Sequence, residues 1–369
     1  MRKFYSLCLS LILLLLGFSS VQADEVLKVG VALPLTGPLS KTASDMQNGI
    51  ILAADEWNAK GGVLGKRIEL IVEDDHGDPL VAERVAEDLS NLGVVGVIGH
   101  MNSGCSLAGL VYYNRAGIPM ITPGSTNPSL TAKGYGGVFR VCGKDDNQAA
   151  VAADFIAKFK LRKIAFVHDQ SIYGQWLINE FMKDIRKRSV VRTVYYASFN
   201  DKSRDFQPIL KSVVRKKPDL IYFGASYTDA ADFLKQAREL GVNSLFMSGD
   251  SAANQEFVTI AGVNNTRNVY FTSNPDIKKM PSAADFVTNY EKRFGAIGTY
   301  SVYGYDAANV LLSAITEAKS INGLDIIKAL HDEKFHGALG TIKFNEQGDI
   351  EDSNNYVVWT IKEGKIVEY

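Results

Sequence analysis

This chain of 369 residues has few cysteines and few long apolar segments. The first observation argues against a disulfide-rich protein, and the second against a protein with several membrane spans. Of the three cysteines, Cys8 lies in an N-terminal apolar run, which leaves Cys105 and Cys142 for the rest of the chain. Two cysteines fix no disulfide framework, so these two either pair in an exported protein or are simply small buried residues. Beyond the run Leu7–Leu16 there is no long apolar stretch, so we expect a soluble mature protein.

An excess of charge of one sign is also missing, and so are the common catalytic motifs. The chain has 40 Lys and Arg against 41 Asp and Glu, which gives no basic surplus for nucleic acid or an anionic membrane. There is no Gly-x-Ser-x-Gly or His-Glu-x-x-His motif, and Gly61–Arg67 lacks the spacing of a phosphate loop. The acidic run Asp74–Asp78 is more typical of a loop before a helix than of a cation site. We therefore expect no enzyme, no cofactor and no metal.

The N-terminus has the three parts of a secretory signal peptide. Arg2 and Lys3 precede the apolar run, and the small-residue segment Val21–Ala23 follows it. We predict a signal peptide over residues 1–23, cleaved after Ala23, and a periplasmic mature protein. The alternative is an uncleaved N-terminal anchor, which the shortness of the apolar run disfavours.

The rest of the chain alternates short apolar strands with helices. In residues 45–58, for example, Met46, Ile50 and Ala53 recur at helical spacing. Strand–helix alternation indicates parallel sheets with helices on both faces, and the pattern restarts near residue 145. The sequence therefore predicts an α/β protein with two doubly wound parallel-sheet domains. Near the end, Thr341–Phe344 and Tyr356–Ile361 are predicted to form antiparallel β-structure.

Two loops of small polar residues follow apolar strands in the first half of the chain. One follows Val94–Ile98 and the other follows Ile118–Thr122. Loops at the carboxyl ends of parallel strands expose N–H groups and hydroxyls where the next helices begin, and such groups hold a small anion such as a carboxylate. We predict half of a small-molecule site here, and its candidate contacts in the loops are Met101, Asn102, Ser103 and Thr126.

Short phrases spread over almost the whole mature chain carry a family resemblance. They include Leu35–Pro38, Asn58–Gly62, Val97–His100, Met120–Pro123, Leu130–Tyr135, Ile164–Asp169, Lys235–Arg238 and Asn345–Asp349. Each phrase is weak alone, but their order after a signal peptide is specific. The chain resembles the periplasmic branched-chain amino-acid-binding proteins of ABC transporters, the leucine/isoleucine/valine-binding type.

The resemblance implies a type I periplasmic binding protein fold, with two lobes joined by three crossover segments. The N-terminal lobe would comprise residues 24–144 plus 273–355, and the C-terminal lobe 145–272 plus 356–369. It also implies a monomer that closes on a free amino acid, branched-chain or otherwise apolar, and delivers it to an ABC transporter permease at the inner membrane.

The resemblance further implies roles for individual residues. Ser103 and Thr126 would hold the ligand carboxylate, Gly124 and Asp250 would accept from the ammonium, and Tyr173 would close over the ligand. Pairing donors with one pole and acceptors with the other is what a desolvated zwitterion requires. The structural alternatives are helix caps for Ser103 and Thr126, an Asx turn for Asp250 and a packing role for Tyr173.

Several positions depart from the family pattern. The family's disulfide would join positions occupied here by Gly77 and Asn102, so it is missing. Thr42 stands in place of an aromatic residue, Ser226 in place of a tyrosine, and Asp250 is one carbon shorter than the usual glutamate. These changes touch the side-chain pocket and the ammonium contact, so they leave open another ligand, such as an amide, urea or an aromatic acid. A sensor or an exported enzyme is a separate alternative, and the lack of a nucleophile–base motif disfavours the enzyme.

Overall fold

The computed structural model describes residues 26–199, 204–351 and 356–369. The predicted signal peptide over residues 1–23 lies outside these ranges. No helix within them is long and apolar enough to cross a membrane.

Five parallel strands form the first sheet, in the order β2-β1-β3-β4-β5. Their bounds are β1 (Val26–Leu33), β2 (Arg67–Asp74), β3 (Val97–Gly99), β4 (Met120–Thr122) and β5 (Val138–Arg140). β3 and β4 are entirely buried, as expected for central strands covered on both faces.

Seven strands form the second sheet, in the order β14-β13-β10-β9-β8-β6-β7. Their bounds are β6 (Lys163–His168), β7 (Arg192–Ser198), β8 (Leu220–Gly224), β9 (Leu245–Ser248), β10 (Val269–Ser273), β13 (Val357–Lys362) and β14 (Lys365–Glu368). β13 runs antiparallel to β10 and β14, whereas the other pairs are parallel. A separate hairpin joins β11 (Phe335–Gly337) to β12 (Gly340–Ile342).

Helices cover both faces of each sheet. They are α1 (Ser40–Ala59), α2 (Pro79–Asn91), α3 (Ser103–Ala116), α4 (Ser129–Ala132), α5 (Asp145–Ala157), α6 (Ile172–Arg188), α7 (Gln207–Lys216), α8 (Tyr227–Glu239), α9 (Gln255–Ala261), α10 (Ala284–Phe294), α11 (Ser301–Ala318) and α12 (Gly323–Asp332). In α1, Met46, Ile50 and Ala53 are fully buried, which confirms the helical spacing. The prediction of two doubly wound parallel sheets is confirmed.

Each sheet belongs to its own packing unit. The first unit comprises the five-stranded sheet, α1 to α4, α10 to α12 and the β11–β12 hairpin, and the second comprises the seven-stranded sheet with α5 to α9. The chain crosses between the units after β5, after β10 and before β13, and residues 352–355 of this last crossing lie outside the described ranges. The functional groups are therefore positioned by two separate cores.

The predicted antiparallel β-structure near the C-terminus is confirmed, and its two segments belong to different sheets. Residues Thr341 and Ile342 pair within the β11–β12 hairpin of the first unit, whereas Val357–Lys362 pairs with β10 and β14 of the second. Apolar alternation reveals a strand but not its partner. Gly340, which pairs with Gly337 at the end of the β11–β12 turn, has a φ of +95° that glycine adopts readily. The turn allows Thr341 to pair with His336 of β11.

A buried carboxyl, Asp306 of α11, ties this helix to the β11–β12 turn. It is fully buried and accepts from the backbone N–H groups of Ala338 (2.9 Å) and Leu339 (2.7 Å). Burial raises the pKa of Asp306 from its ordinary value of 3.8 to about 6, although the two N–H donors oppose the shift.

This pKa makes the free energy of unfolding depend on pH. Because the folded-state pKa is raised, the contribution is fully present below about pH 4 and is lost as the pH rises through 6. A shift of about 2 units corresponds to roughly 3 kcal/mol. Between pH 4 and pH 7, the free energy of unfolding should fall by about 3 kcal/mol less in Asp306→Asn than in the wild type. Urea unfolding at the two pH values measures this difference. The exposed Asp285→Asn is the control, and equal pH profiles for Asp306→Asn and the wild type would contradict the prediction.

Candidate functional site

The two polar loops lie side by side at the carboxyl ends of β3 and β4, because these strands are neighbours in the sheet. Thr122 Oγ1 donates to the carbonyl of His100 (2.7 Å), and Ser125 Oγ donates to the carbonyl of Met101 (3.1 Å). The backbone N–H of Asn127 donates to Ser103 Oγ (3.3 Å). The structure thus brings the residues of the two loops together, as the strand order requires.

Two polar side-chain atoms in these loops are buried. Asn102 Oδ1 has no hydrogen-bond partner among the described residues, whereas Thr126 Oγ1 lies close enough to the Asp145 carboxyl to lower its pKa. Asn102 is the N-cap residue of α3, yet its side chain makes no capping bond. Ser103 is the first helical residue rather than the cap, and Thr126 lies three residues before α4 begins, so neither acts as a helix cap. The loops therefore hold a polar group that the protein itself does not saturate.

Arg140 holds the backbone on both sides of Thr126 in place. This fully buried side chain donates from Nη1 to the carbonyls of Ser125 (2.8 Å) and Asn127 (3.0 Å), the residues on either side of Thr126. Its Nε donates to Asp349 Oδ1 at 2.7 Å. Burial alone would raise the pKa of Asp349, but the Arg140 guanidinium outweighs it and holds that pKa below its usual range. The Arg140 nitrogens thus all donate to acceptors within the protein.

Gly124 lies close to two methionine side chains in this wall. A Cβ atom there would lie 3.2 Å from both Met101 Cγ and Met46 Cε, so a larger residue would push against two methionines. On the other side of the loop, a Cβ at Gly77 would lie 3.6 Å from Asn102 Oδ1. The two positions where the family has its disulfide are therefore adjacent here as well, although neither is a cysteine.

Asp250 provides the carboxylate on the opposite wall. It follows β9, is 2% exposed, and lies in the short 3-10 turn Asp250–Ala252. Its Oδ1 accepts from the hydroxyl of Tyr173 and the N–H of Ser251, both at 2.9 Å. Its Oδ2 accepts from the hydroxyls of Tyr300 (2.5 Å) and Tyr356 (3.3 Å). The bond to Ser251 goes to the next residue rather than to the residue two positions on, so it is not the Asx turn of the structural alternative, and three further bonds come from tyrosine hydroxyls.

The three tyrosines are fixed as donors. Burial raises the pKa of Tyr173, Tyr300 and Tyr356 well above its usual value, and the negative charge of Asp250 raises it further. All three hydroxyls therefore stay protonated at any physiological pH. The structure places Tyr173 next to Asp250, a contact that the sequence analysis did not predict, and Tyr300 and Tyr356 come from segments that it did not connect with the site.

A second buried carboxyl, Asp145, joins the two walls. Its backbone N–H donates to the carbonyl of Thr126 (3.0 Å), and its Oδ2 has no hydrogen-bond partner among the residues described. Gln148 bridges to Asp250, because its Oε1 accepts from the Asp250 N–H at 2.8 Å. Burial, together with the charge of Asp250, raises the pKa of Asp145 well above its usual value. Its only sequence signal was an acidic pair at a helix start, which ordinary helix termini also show.

The two units touch across this site. Asn254 Nδ2 donates to Thr42 Oγ1 (3.1 Å), and Thr299 Oγ1 donates to the carbonyl of Ala253 (2.7 Å). The structure therefore shows Thr42 as a contact between the units, in addition to any contact it makes with a ligand.

The remaining predicted residues have clear structural roles. Ser226 is the N-cap of α8, where its Oγ accepts from the N–H of Asp229 and donates to Asp229 Oδ2 (2.8 Å). Cys105 and Cys142 are both buried and unpaired. Burial raises the pKa of both thiols, so neither is a reactive thiolate. Of the two possibilities for the cysteines, the structure shows small buried residues.

The sequence and fold are similar to those of characterised binding proteins. Residues 26–365 match the family described as periplasmic binding protein. A Leu/Ile/Val-binding protein homolog 3 of Brucella melitensis is 30% identical over 355 residues, which is 95% of each chain. A leucine binding protein of Thermotoga maritima superposes with a TM-score of 0.85 at 30% identity, covering 93% of this chain and 97% of the other. A branched-chain amino acid transporter substrate binding protein of Streptococcus pneumoniae, solved with isoleucine, has a TM-score of 0.82 at 26% identity, covering 94% and 100%.

Proposed function

Because the chain belongs to the periplasmic binding protein family, among homologues of the Leu/Ile/Val-binding proteins, we propose that it captures a free apolar amino acid between its two units. The fold is that of a type I periplasmic binding protein. In this proposal the units are the two lobes, with bounds 24–144 plus 273–355 and 145–272 plus 356–369. The mature chain, cleaved after Ala23, acts as a periplasmic monomer that closes on its ligand and delivers it to an ABC transporter permease.

The observation that carries the proposal is the complementarity of the two walls. One wall has hydroxyls and a helix N-terminus, which suit a carboxylate, and Asn102 Oδ1 at the start of that helix has no hydrogen-bond partner among the described residues. The other wall has the buried carboxyl of Asp250. A zwitterion placed between them pairs each of its charges with opposite polarity, whereas a simple carboxylic acid would leave Asp250 uncompensated.

The neighbourhood of Gly124 supports an apolar ligand side chain. Met101 and Met46 lie against this glycine, and methionine is flexible enough to adapt to aliphatic groups of different shape. Thr42 occupies less volume than the aromatic residue of the family pattern, and its hydroxyl accepts from Asn254 across the two units.

Closure follows from the same geometry. Hydrogen bonds such as Asn254 to Thr42 and Tyr300 to Asp250 connect the units only while their carboxyl-terminal edges face each other. A ligand held by Ser103 on one side and Asp250 on the other adds to these contacts, so it shifts the population toward the closed form.

A thermal-shift screen tests the proposal directly. The protein is unfolded and refolded to remove carried-over ligand, then heated with each of the twenty amino acids and with acetamide, urea and phenylacetate. We expect the melting temperature to rise with a few apolar amino acids and to increase further with ligand concentration. Shifts confined to compounds without an α-ammonium would overturn the amino-acid assignment and favour the amide, urea or aromatic-acid alternative.

A further inference from the structure

One edge of the second unit concentrates basic side chains, although the chain as a whole has no basic surplus. It is formed by the connections from α5 to β6, from α6 to β7 and from α7 to β8, which lie where these parallel strands begin. We define the basic edge by the segments 158–163, 186–192 and 215–217. They contain eleven Lys and Arg residues and no Asp or Glu. The overall balance of charge thus hides a strongly uneven distribution.

The three segments lie next to one another in space. The backbone N–H of Arg192 donates to the carbonyl of Arg162 at 2.7 Å, which joins the first two segments. The carboxylate of Asp219, two residues after the third segment, accepts from the N–H of Arg162 at 2.9 Å. Lys160 of the first segment and Lys217 of the third line one groove. The charges of the three segments therefore act over a single surface.

Most of these charges have no partner within the protein. Lys187 forms an ion pair with Asp184 at 3.0 Å, and Arg188 forms one with Asp154 at 2.5 Å. The other nine basic residues form no ion pair with any residue in the described ranges, and all of these nine except Lys163 are exposed. The basic edge therefore presents uncompensated positive charge to its surroundings.

The general preference of helix C-termini for cations does not account for this edge. The last turns of α1 and α2 in the first unit contain no basic residue, and that of α3 contains only Arg115. By contrast, α6 ends with three basic residues and α7 with two. Arg162 and Arg192 lie at the starts of strands, where no helix end favours a cation. The accumulation is thus particular to one edge of one unit.

Exposed apolar side chains lie among the basic residues. Val190 and Phe159, both within the basic segments, are 82% and 37% exposed. Val214 and Leu240 are each 40% exposed, and they line a groove of about 750 Å³ together with two of the lysines. A surface that is both cationic and apolar suits a lipid bilayer, where anionic headgroups lie beside acyl chains. A soluble polyanion would use the charges but not the apolar side chains.

We propose that the basic edge binds reversibly to membranes that contain anionic phospholipids. The lipid phosphates pair with the exposed Lys and Arg residues, and Val190, Val214 and Leu240 enter the headgroup region. Because the basic edge lies at the amino ends of the strands, whereas Ser103 and Asp250 follow the carboxyl ends, the amino-acid site stays accessible in the bound protein. Membrane binding does not depend on the proposed amino-acid function.

Cosedimentation with lipid vesicles tests the proposal. The mature chain, residues 24–369, is used, because the apolar run of the predicted signal peptide would bind lipid by itself. We expect binding to vesicles of phosphatidylglycerol and phosphatidylcholine in equal parts, and none to pure phosphatidylcholine. Raising the NaCl concentration from about 50 mM to about 500 mM should reduce the partition coefficient at least about 10-fold, because salt screens exposed charges.

Two sets of variants separate the charged from the apolar contribution. Arg162→Gln, Arg186→Gln and Lys216→Gln combined should weaken binding to the anionic vesicles about 100-fold, since each basic residue near such a surface contributes about 5-fold. Val190→Ser combined with Val214→Ser should weaken it about 5-fold with the charge unchanged. Urea unfolding checks that both variants are folded.

The matched control neutralises three exposed basic residues at helix ends of the first unit. Lys60→Gln, Arg115→Gln and Lys319→Gln combined should bind the vesicles as the wild type does. Absence of binding to the anionic vesicles, or an equal loss in the two triple variants, would overturn the proposal. Heparin is the soluble polyanion for comparison. Wild-type vesicle binding by the valine double variant, with tight heparin binding, would overturn it in favour of a soluble polyanion. None of these outcomes affects the amino-acid assignment, which the thermal-shift screen tests separately.

Discussion

Replacement of Asp250 by asparagine is expected to weaken leucine binding by about 100-fold or more. The carboxylate is 2% exposed, so an ammonium that reaches it forms a charge-assisted bond in a poorly solvated place. Removing the charge from one side of a buried pair leaves the other side uncompensated, which costs roughly 2–5 kcal/mol. Asparagine keeps the volume, and the three tyrosine hydroxyls can rotate to donate to its oxygen or accept from its amide.

The measurement is isothermal calorimetry with leucine and with 4-methylpentanoate, which is leucine without its ammonium group. The Asp250→Asn variant should lose affinity for leucine but not for 4-methylpentanoate. Asp306→Asn serves as the matched control, because it neutralises another buried aspartate, which lies in the first unit whereas Asp250 lies in the second. If both ligands lose affinity equally in Asp250→Asn, the residue shapes the site without contacting the ammonium, and its assigned role is wrong.

Replacement of Arg140 by methionine is expected to lower the free energy of unfolding by about 3–5 kcal/mol, the usual cost of removing one partner from a buried ion pair. The loss leaves Asp349 buried with only Lys144 at 3.2 Å as a cationic neighbour. It also leaves the carbonyls of Ser125 and Asn127 without their shared donor. Urea unfolding at neutral pH measures the effect.

A double variant and a conservative variant separate the causes. Arg140→Met combined with Asp349→Leu should recover part of the lost stability, because no buried charge remains unpaired. Arg140→Lys keeps the charge but cannot reproduce the fork of donors, so it should be intermediate in stability. Because the carbonyls on either side of Thr126 are held by this fork, leucine affinity should fall in both single variants. A wild-type stability for Arg140→Met would contradict the structural role assigned to the ion pair.

The sequence predicts those features that depend on residues close to one another along the chain. Met46 and Ile50 of α1 show helical spacing, and the polar loops follow apolar strands, so the alternation of elements and one wall of the site could be predicted. That Ser103 and Thr126 lie together required only that parallel neighbouring strands end at the same edge.

The residues of the opposite wall could not be predicted, because they come from distant parts of the chain. Tyr300 and Tyr356 lie 50 and 106 residues from Asp250 along the chain, and nothing local marks their hydroxyls as its donors. The sequence gives no signal for Asp145 either, because acidic residues are common at helix starts and only the structure shows that this one is buried. The antiparallel β-structure near the C-terminus could be predicted, but the partners of its strands could not, since tertiary packing sets them.

The four donors on Asp250 have a consequence for the thermodynamics of recognition. An ionised carboxylate offers about four lone-pair positions, and Tyr173, Ser251, Tyr300 and Tyr356 already use them. In the proposed complex, the ligand ammonium must therefore displace at least one of these donors, so recognition would be an exchange of donors rather than an addition. Asp250 is hydrogen-bonded before the ligand arrives, and the gain on binding would be the difference between a charged donor and a phenol. We therefore expect amines that are poorer donors than a primary ammonium to bind more weakly.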